Sequence, residues 1–245
     1  MTSHPRRVQL AAGYILHHYP YRDTSRILEV LTRDAGRLSL FARGVRGPKA
    51  KLAAELQPFR LLLLSWSGRG EAPQLTGAES APDPRPLPPG ALMAGFYLNE
   101  LLLKLTHRHD PVPAVFDAYH TAVAALKANA PIEPTLRLFE KHLLELLGYG
   151  LALKFDARSG ASIEADAYYH FRPEHGLVPA NADTGSALSG ASLLALAREE
   201  LTPGRVLEDA RRLLQGALAQ CLEGRELNTR AVARSIAIRR RGSRT

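Results

Sequence analysis

The chain has 245 residues, enough for one large domain or two small ones at roughly 150 residues each. Its hydrophobic content of 45% and charged content of 23% exclude wholesale disorder, collagen-like repeats and a disulfide scaffold. Thirty-two Lys and Arg against 24 Asp and Glu give a net +8, which points to an anionic partner such as nucleic acid, an acidic peptide or a membrane surface.

Five short runs rich in Val, Ile, Leu, Phe and Tyr occupy the first 80 residues: 8–18, 26–32, 37–42, 60–66 and 74–78. Asp34-Ala35-Gly36 has the composition of a tight hairpin connection, since Gly accepts the positive φ of such a turn. With a helix-compatible stretch, 49–56, between the third and fourth runs, five strands in this length suit a small closed barrel of the OB-fold type. Pro82, Pro84, Pro86, Pro88 and Pro89, closed by Gly90, form a stiff connector over 81–90.

Beyond the connector the apolar period lengthens to that of a helix. Leu98, Leu101, Leu102 and Leu105 lie at i, i+3, i+4 and i+7, and Leu136, Phe139, Leu143 and Leu147 repeat the spacing after an Ala-rich segment, 114–129. The helical period is lost from about 154 to 187, where Gly160, Pro173, Gly176 and Pro179 surround two short strand-like pieces, 167–171 and 176–179. Helical patterning returns over 189–201, 206–223 and 227–238. The expected class is α+β: a five-stranded OB-fold barrel over 1–80, then an α-helical bundle over 91–245 with a small hairpin-like insertion.

The positive charge is not evenly spread. Residues 1–60 hold 11 basic and 4 acidic groups (+7), residues 61–224 hold 14 and 19 (−5), and residues 225–245 hold 7 and 1 (+6). Two basic ends around an acidic middle are what a polyanion-binding surface requires, provided the fold brings the ends together. In the first block Arg37, Arg43, Arg46, Lys49 and Lys51 follow the third strand and a loop broken by Gly44 and Gly47. Arg22 and Arg26 lie near the first connection and Arg69 near the fourth, the loops that rim the ligand groove of an OB-fold. Tyr14, Tyr19, Tyr21, Phe41 and Trp66 are the aromatics available to stack on bases. In the last block Arg230 and Arg234 share a helix face. Between the blocks, Arg137 and Lys141 sit beside the apolar face of the 135–147 helix, where an acidic peptide tail would find a cation for its carboxylate.

Enzyme signatures are missing: there is no phosphate loop, dinucleotide fingerprint, nucleophile elbow or His-Glu-x-x-His motif, and no catalytic residue or cofactor is expected. His107 and His109 point apart on a helix, and His170 and His175 have no evident further ligands, so no metal site is expected. The single cysteine, Cys221, excludes an internal disulfide and suits a reducing compartment; a cytoplasmic location is expected. The N-terminal run lacks a small-residue cleavage site, and no stretch approaches the ~20 apolar residues of a membrane span. The Gly44-x-x-Gly47 pattern occurs in KH domains, but there it joins helices, not strands.

Several motifs in order resemble the RecO family of bacterial DNA repair proteins. They are Gly13-Tyr14-Ile15-Leu16, Pro20-Tyr21-Arg22-Asp23-Thr24-Ser25, Thr32-Arg33-Asp34-Ala35-Gly36-Arg37-Leu38, Arg43-Gly44-Val45-Arg46, Leu56-Gln57-Pro58-Phe59 and Gly68-Arg69-Gly70-Glu71. Tyr97-Leu98-Asn99-Glu100-Leu101, Leu138-Phe139-Glu140, Leu147-Gly148-Tyr149-Gly150 and Gly224-Arg225-Glu226-Leu227 continue the series. The resemblance implies a nucleoid-associated protein that binds single- and double-stranded DNA and anneals complementary strands. With RecR it would act on DNA coated by single-strand-binding protein (SSB) to help load RecA. It also implies that SSB's acidic C-terminal tail docks on the helical domain, with Arg137 at the matching position. Many members carry a four-cysteine zinc module where this chain has Asp156-Ala157-Arg158-Ser159-Gly160 and Val178-Pro179-Ala180-Asn181, so the zinc is not carried over and packing must hold the insertion. Two other readings remain open at the level of sequence: a protein–protein adaptor, and a sequence-neutral RNA-binding OB protein.

Overall fold

Alternation of apolar and polar residues over the first 80 residues produces a closed barrel. The computed structural model describes residues 7–45, 51–81, 85–173, 175–182 and 185–229. The strands are β1 (Arg7–Tyr21), β2 (Ser25–Thr32), β3 (Gly36–Ala42), β4 (Leu62–Ser67) and β5 (Gln74–Ser80), in the closed order β1-β2-β3-β5-β4. All pairings are antiparallel except β3 with β5, which meet in parallel at Phe41 and Gln74. This is the five-stranded OB arrangement expected from the strand count. Ile15, Leu28, Val30, Leu38, Leu40, Leu62, Leu64 and Trp66 fill its interior.

The β2–β3 hairpin turns where Asp34-Ala35-Gly36 was expected to turn it. Gly36 has φ +68, and a Cβ there would lie 2.5 Å from the carbonyl oxygen of Asp110, so both conformation and space demand glycine. The helix-compatible stretch 49–56 is a correction: among its described residues only a 3-10 turn, Lys51–Ala53, forms, too short a run to propagate as an α-helix.

Among the described residues five α-helices follow, α1 (Leu92–Leu105), α2 (Pro113–Lys127), α3 (Ile132–Leu146), α4 (Gly190–Ala197) and α5 (Arg205–Leu222), and most of the helix expected over 227–238 lies outside those residues. α4 ends four residues before the expected Leu201, where Glu199 turns into the left-handed region at φ +64. Its start is tightly constrained, because a Cβ on Gly190 would meet the Glu164 carbonyl oxygen at 1.9 Å. The insertion contains the two expected strands, β6 (Tyr168–Arg172) and β7 (Gly176–Ala180), and a third, β8 (Leu188–Ser189), that the sequence did not reveal. Asp156 anchors its first turn: Oδ1 accepts from the amides of Arg158 and Ser159, both at 2.8 Å, and Oδ2 accepts from the Ser159 hydroxyl. Packing of Ile163, Tyr169 and Leu177, all 5% exposed or less, completes it.

By compactness the chain forms two units. One takes in the barrel, α1, α2 and the described residues from Leu227; the other is Ala130–Glu226. In the first, Asn99 of α1 links helix to strand, donating to the Leu16 carbonyl at 2.8 Å while accepting from the Tyr119 hydroxyl at 2.6 Å. Among the described residues no helix is long and apolar enough to cross a membrane.

Candidate nucleic-acid interface

The outer face of β1, β2 and β3 is divided into a covered part and an open part. Strand partners lie on the same side of a sheet, and the rows can be read from the register. Tyr14, Leu31 and Arg37 form one row, His17, Glu29 and Ser39 the next, and Tyr19, Ile27 and Phe41 a third. The β1–β2 register shifts between Ile15 and His17, which puts Tyr14 on the same face as His17 and Tyr19 despite an odd separation. Tyr14 is 2% exposed beneath α2, its ring 5.0 Å from that of Tyr119 and its hydroxyl 2.7 Å from His120 Nδ1. At the other end Tyr19 and Tyr21 are 49% and 39% exposed.

An aromatic ladder runs along this open end. The His17 and Tyr19 rings meet edge to face at 4.5 Å, and Tyr21 meets Phe41 in the same way at 5.6 Å. The Arg22 guanidinium lies 5.4 Å over the Tyr21 ring, and Arg22 itself is exposed. Arg26, opposite Pro20 and Ala42, is partly exposed at the same end of β2 but on the other face of the sheet, and Arg43 is exposed one residue beyond β3. Arg69 is exposed on the β4–β5 turn, where Gly68 and Gly70 both have positive φ. An aromatic platform rimmed by guanidinium groups can stack bases and hold phosphates together. Burial, Arg26 and His17 push the His18 imidazole below its usual pKa, so it adds no charge at neutral pH.

Among the aromatics named from sequence, Tyr19, Tyr21 and Phe41 belong to this platform, while Tyr14 and Trp66 are core, the latter at 3% exposure. His17 and Ile27 join it. The alternation His17-x-Tyr19-x-Tyr21 carries that information in the sequence, but only once these residues are known to share an uncovered strand face.

Arg37 is placed otherwise than as a phosphate ligand. Its Nη1 donates to Glu29 at 3.0 Å, its Nε to Thr106 Oγ1 at 3.1 Å and its Nη2 to the Thr106 carbonyl at 2.8 Å, so all three nitrogens are engaged within the protein. Ser39 and Arg108 complete the shell around Glu29. Arg33, beside it in the basic run, is likewise occupied by Asp117, at 3.1 and 2.9 Å. Arg46, Lys49, Arg230 and Arg234 lie outside the described residues, as does the side chain of Lys51.

In the second unit, Arg137 is 5% exposed and its Nη2 donates to Glu140 Oε1 at 2.6 Å within α3. The guanidinium, expected beside the apolar face of this helix, is turned inward against a carboxylate that is itself 0% exposed. Lys141 pairs with Glu199 at 2.9 Å and Glu145 at 3.1 Å. Burial works against its charge, but these hydrogen bonds prevail and raise its pKa above the ordinary lysine value. Lys141 also lines an open cleft of about 320 Å³ with Leu151, Leu153, Lys154 and Phe155. Phe155 is 52% exposed. Among the described residues no group of three or more His, Cys, Asp or Glu side chains is arranged to hold a metal ion.

A five-stranded barrel with an aromatic and basic face, followed by helices, is the class of protein that the comparisons now define. Residues 8–82 match the family model "Recombination protein O N terminal" and residues 89–231 match "Recombination protein O C terminal". The chain belongs to the recombination protein O (RecO) family. The chain is 43% identical over 231 residues to the DNA repair protein RecO of Methylococcus capsulatus, covering 94% of this chain and 95% of the relative. The RecO of Nitrosococcus oceani is 42% identical over 233 residues, 94% of each chain, and that of Coxiella burnetii 39% over 226 residues, 92% and 97%. DNA repair is the function the chain shares with them.

Proposed function

We propose that the chain is a non-catalytic recombination mediator that binds single- and double-stranded DNA through the barrel and anneals complementary strands. The observation that carries this reading is the Tyr19–Ile27–Phe41 row, with Tyr19 and the adjoining Tyr21 exposed and Ile27 and Phe41 half-buried, and with Arg22 and Arg43 exposed at its end. Stacking on such a platform is tolerant of base identity, and guanidinium contacts read phosphates rather than sequence. Arg46, Lys49, Lys51, Arg69, Arg230 and Arg234 would extend the phosphate contacts. Arg37 is left out of them, because each of its three nitrogens already donates inside the protein and its side chain is only 12% exposed.

In the same reading the protein acts in the cytoplasm, at the nucleoid, with RecR on SSB-coated strands to help load RecA, and the cleft beside Lys141 receives the SSB C-terminal tail. The support for the tail is chemical: a cleft lined by Leu151, Leu153 and the exposed Phe155, with Lys141 and Lys154 against a single acid, Glu145, suits an acidic peptide end.

The test is binding of a labelled single-stranded oligonucleotide across a salt series. Each neutralised phosphate releases counterion, so affinity should fall with a logarithmic slope of about 3 or more in magnitude. Arg43→Glu should weaken binding and annealing together, and Tyr19→Ala with Tyr21→Ala should cost about 1–3 kcal/mol per lost base stack. Binding that is indifferent to salt and to these changes would refute the reading.

A further inference from the structure

The cation at the edge of the α3 cleft is already occupied from within its own unit. Lys141 is buried, and its single ammonium meets two carboxylates. Glu145 Oε1 lies 3.1 Å away, one turn further along α3, and Glu199 Oε1 lies 2.9 Å away, just past the end of α4. Glu145 lines the cleft with Lys141 and Lys154, while Glu199 reaches the lysine from two residues beyond Ala197, which lines it too.

Glu199 holds a place where the backbone itself would favour another residue. It lies in the left-handed region at φ +64, with its amide donating to the Leu196 carbonyl at 3.1 Å and the Glu200 amide donating to the Ala195 carbonyl at 2.9 Å. Helix ends closed by a left-handed residue favour glycine, because a side chain at positive φ is strained. Here the strained residue sends its side chain to α3, where one oxygen is shared between Lys141 and His142, whose Nε2 lies 2.7 Å from it. Hydrogen bonds from Lys141 and His142 outweigh partial burial and hold the Glu199 carboxyl below the ordinary 4.5, charged at neutral pH.

The lysines at the cleft, Lys141 and Lys154, are thus balanced by Glu145 and Glu199. An acidic peptide end would bring a third carboxylate to an ammonium that already serves two, and mutual repulsion requires one of the residents to give way. Among the described residues Glu145 has only Lys141 as an ion-pair partner, whereas Glu199 keeps the His142 ring nitrogen when it leaves the lysine. We propose that Glu199 is a resident competitor for the cleft: it occupies Lys141 in the free protein, and an acidic peptide end binds by taking its place on the ammonium. This rests on the tail-binding reading above. A purely structural pair predicts the opposite sign, since losing Glu199 would let Lys141 move and weaken binding.

The experiment follows a labelled SSB C-terminal peptide by fluorescence anisotropy with the full-length protein, from about 50 to about 300 mM salt. The proteins are the wild type, Glu199→Gln, Glu199→Gly and Glu145→Gln, with circular dichroism reporting the fold. Glu199→Gln should bind about fivefold tighter at low salt, and the gain should shrink as salt rises, because the cleft then carries a net positive charge that ions screen. Glu199→Gly suits the left-handed backbone, should show the same gain, and decides the matter if Glu199→Gln does not fold. Unchanged or weaker binding in the deciding variant, or a gain confined to Glu145→Gln, would overturn the proposal. Lys154→Glu with Phe155→Ala separates the two levels. If that variant binds the peptide as wild type does, the tail-binding reading itself fails. If it loses the peptide while the Glu199 variants gain nothing, only the competitor role falls.

Discussion

Glu29 shows how a charge run read from sequence divides into residues that face solvent and residues that serve the fold. Its side chain is 3% exposed in the middle of β2 and is held by Arg37, Arg108 and Ser39. Arg37, with a side chain 12% exposed, also bonds both the hydroxyl and the carbonyl of Thr106 just past α1. The group is therefore a polar bolt between barrel strands and the end of a helix within one unit. Removing one partner from a buried pair leaves the other charge uncompensated. Glu29→Ala should lower the unfolding free energy by about 3 kcal/mol, checked by urea denaturation, with Glu29→Gln costing less because it keeps hydrogen-bond capacity. A loss under about 0.5 kcal/mol for the alanine variant would show the network to be dispensable.

At the level of elements, α3 is amphipathic in an unusual way: Arg137, Glu140 and Lys141 accompany Phe139, Leu143 and Leu144 on its buried face. The Arg137–Glu140 pair is internal to the helix, so an incoming carboxylate would have to displace a buried one. Lys141 stands at the cleft edge, and its partners Glu145 and Glu199 are 42% and 41% exposed at their side chains, so water can take them over more readily. The tail proposal thus favours the cleft end of α3. Lys154→Glu combined with Phe155→Ala, both at exposed positions, should reduce capture of an SSB C-terminal peptide at least about fivefold while naked-DNA annealing persists. Peptide binding that is unchanged in this variant, and lost only with Arg137→Ala, would return the site to the buried pair.

For the whole molecule, acid stability follows from several carboxylates working in one direction. Glu100 and Glu199 both sit below the ordinary 4.5, Glu199 chiefly through hydrogen bonds from Lys141 and His142. Asp209 sits below the ordinary 3.8, because bonds from Ser189 and Arg212 overcome its burial, and the Ser159 bonds hold Asp156 below the same value. These groups bind fewer protons folded than unfolded, so their contribution is complete above the unfolded values and is lost as the pH falls through the folded ones. Thermal midpoints should hold steady from pH 7 to about 5 and fall steeply below about 4. Glu100→Gln should flatten that fall, and an unchanged acid profile in this variant would exclude Glu100 as a contributor.

The barrel was legible because strands announce themselves locally: apolar alternation, a Gly turn at Asp34-Ala35-Gly36 and Leu at helical spacing are short-range signals, and the structure realises each of them. The third strand of the insertion was not legible, since two residues, Leu188 and Ser189, carry no periodicity. The family, too, was readable from ordered motifs spread over nearly the whole chain. The sequence by itself thus determined the five barrel strands and the main helices, their order, the two basic ends and the family. Which cations face outward was decided only by tertiary structure, because that depends on what each one meets across the chain. Arg37 found Glu29 and Thr106, Arg33 found Asp117 and Arg137 found Glu140, while Arg43 and Arg69 stay exposed. Cover by α2 decided which aromatics on the outer face of β1 are core and which are open, Tyr14 meeting Tyr119 and His120 while Tyr19 and Tyr21 stay exposed, and Glu100, 128 residues from Asn228, accepts from that residue's amide. Charge and aromaticity belong to the residue, but availability belongs to the partners that folding supplies.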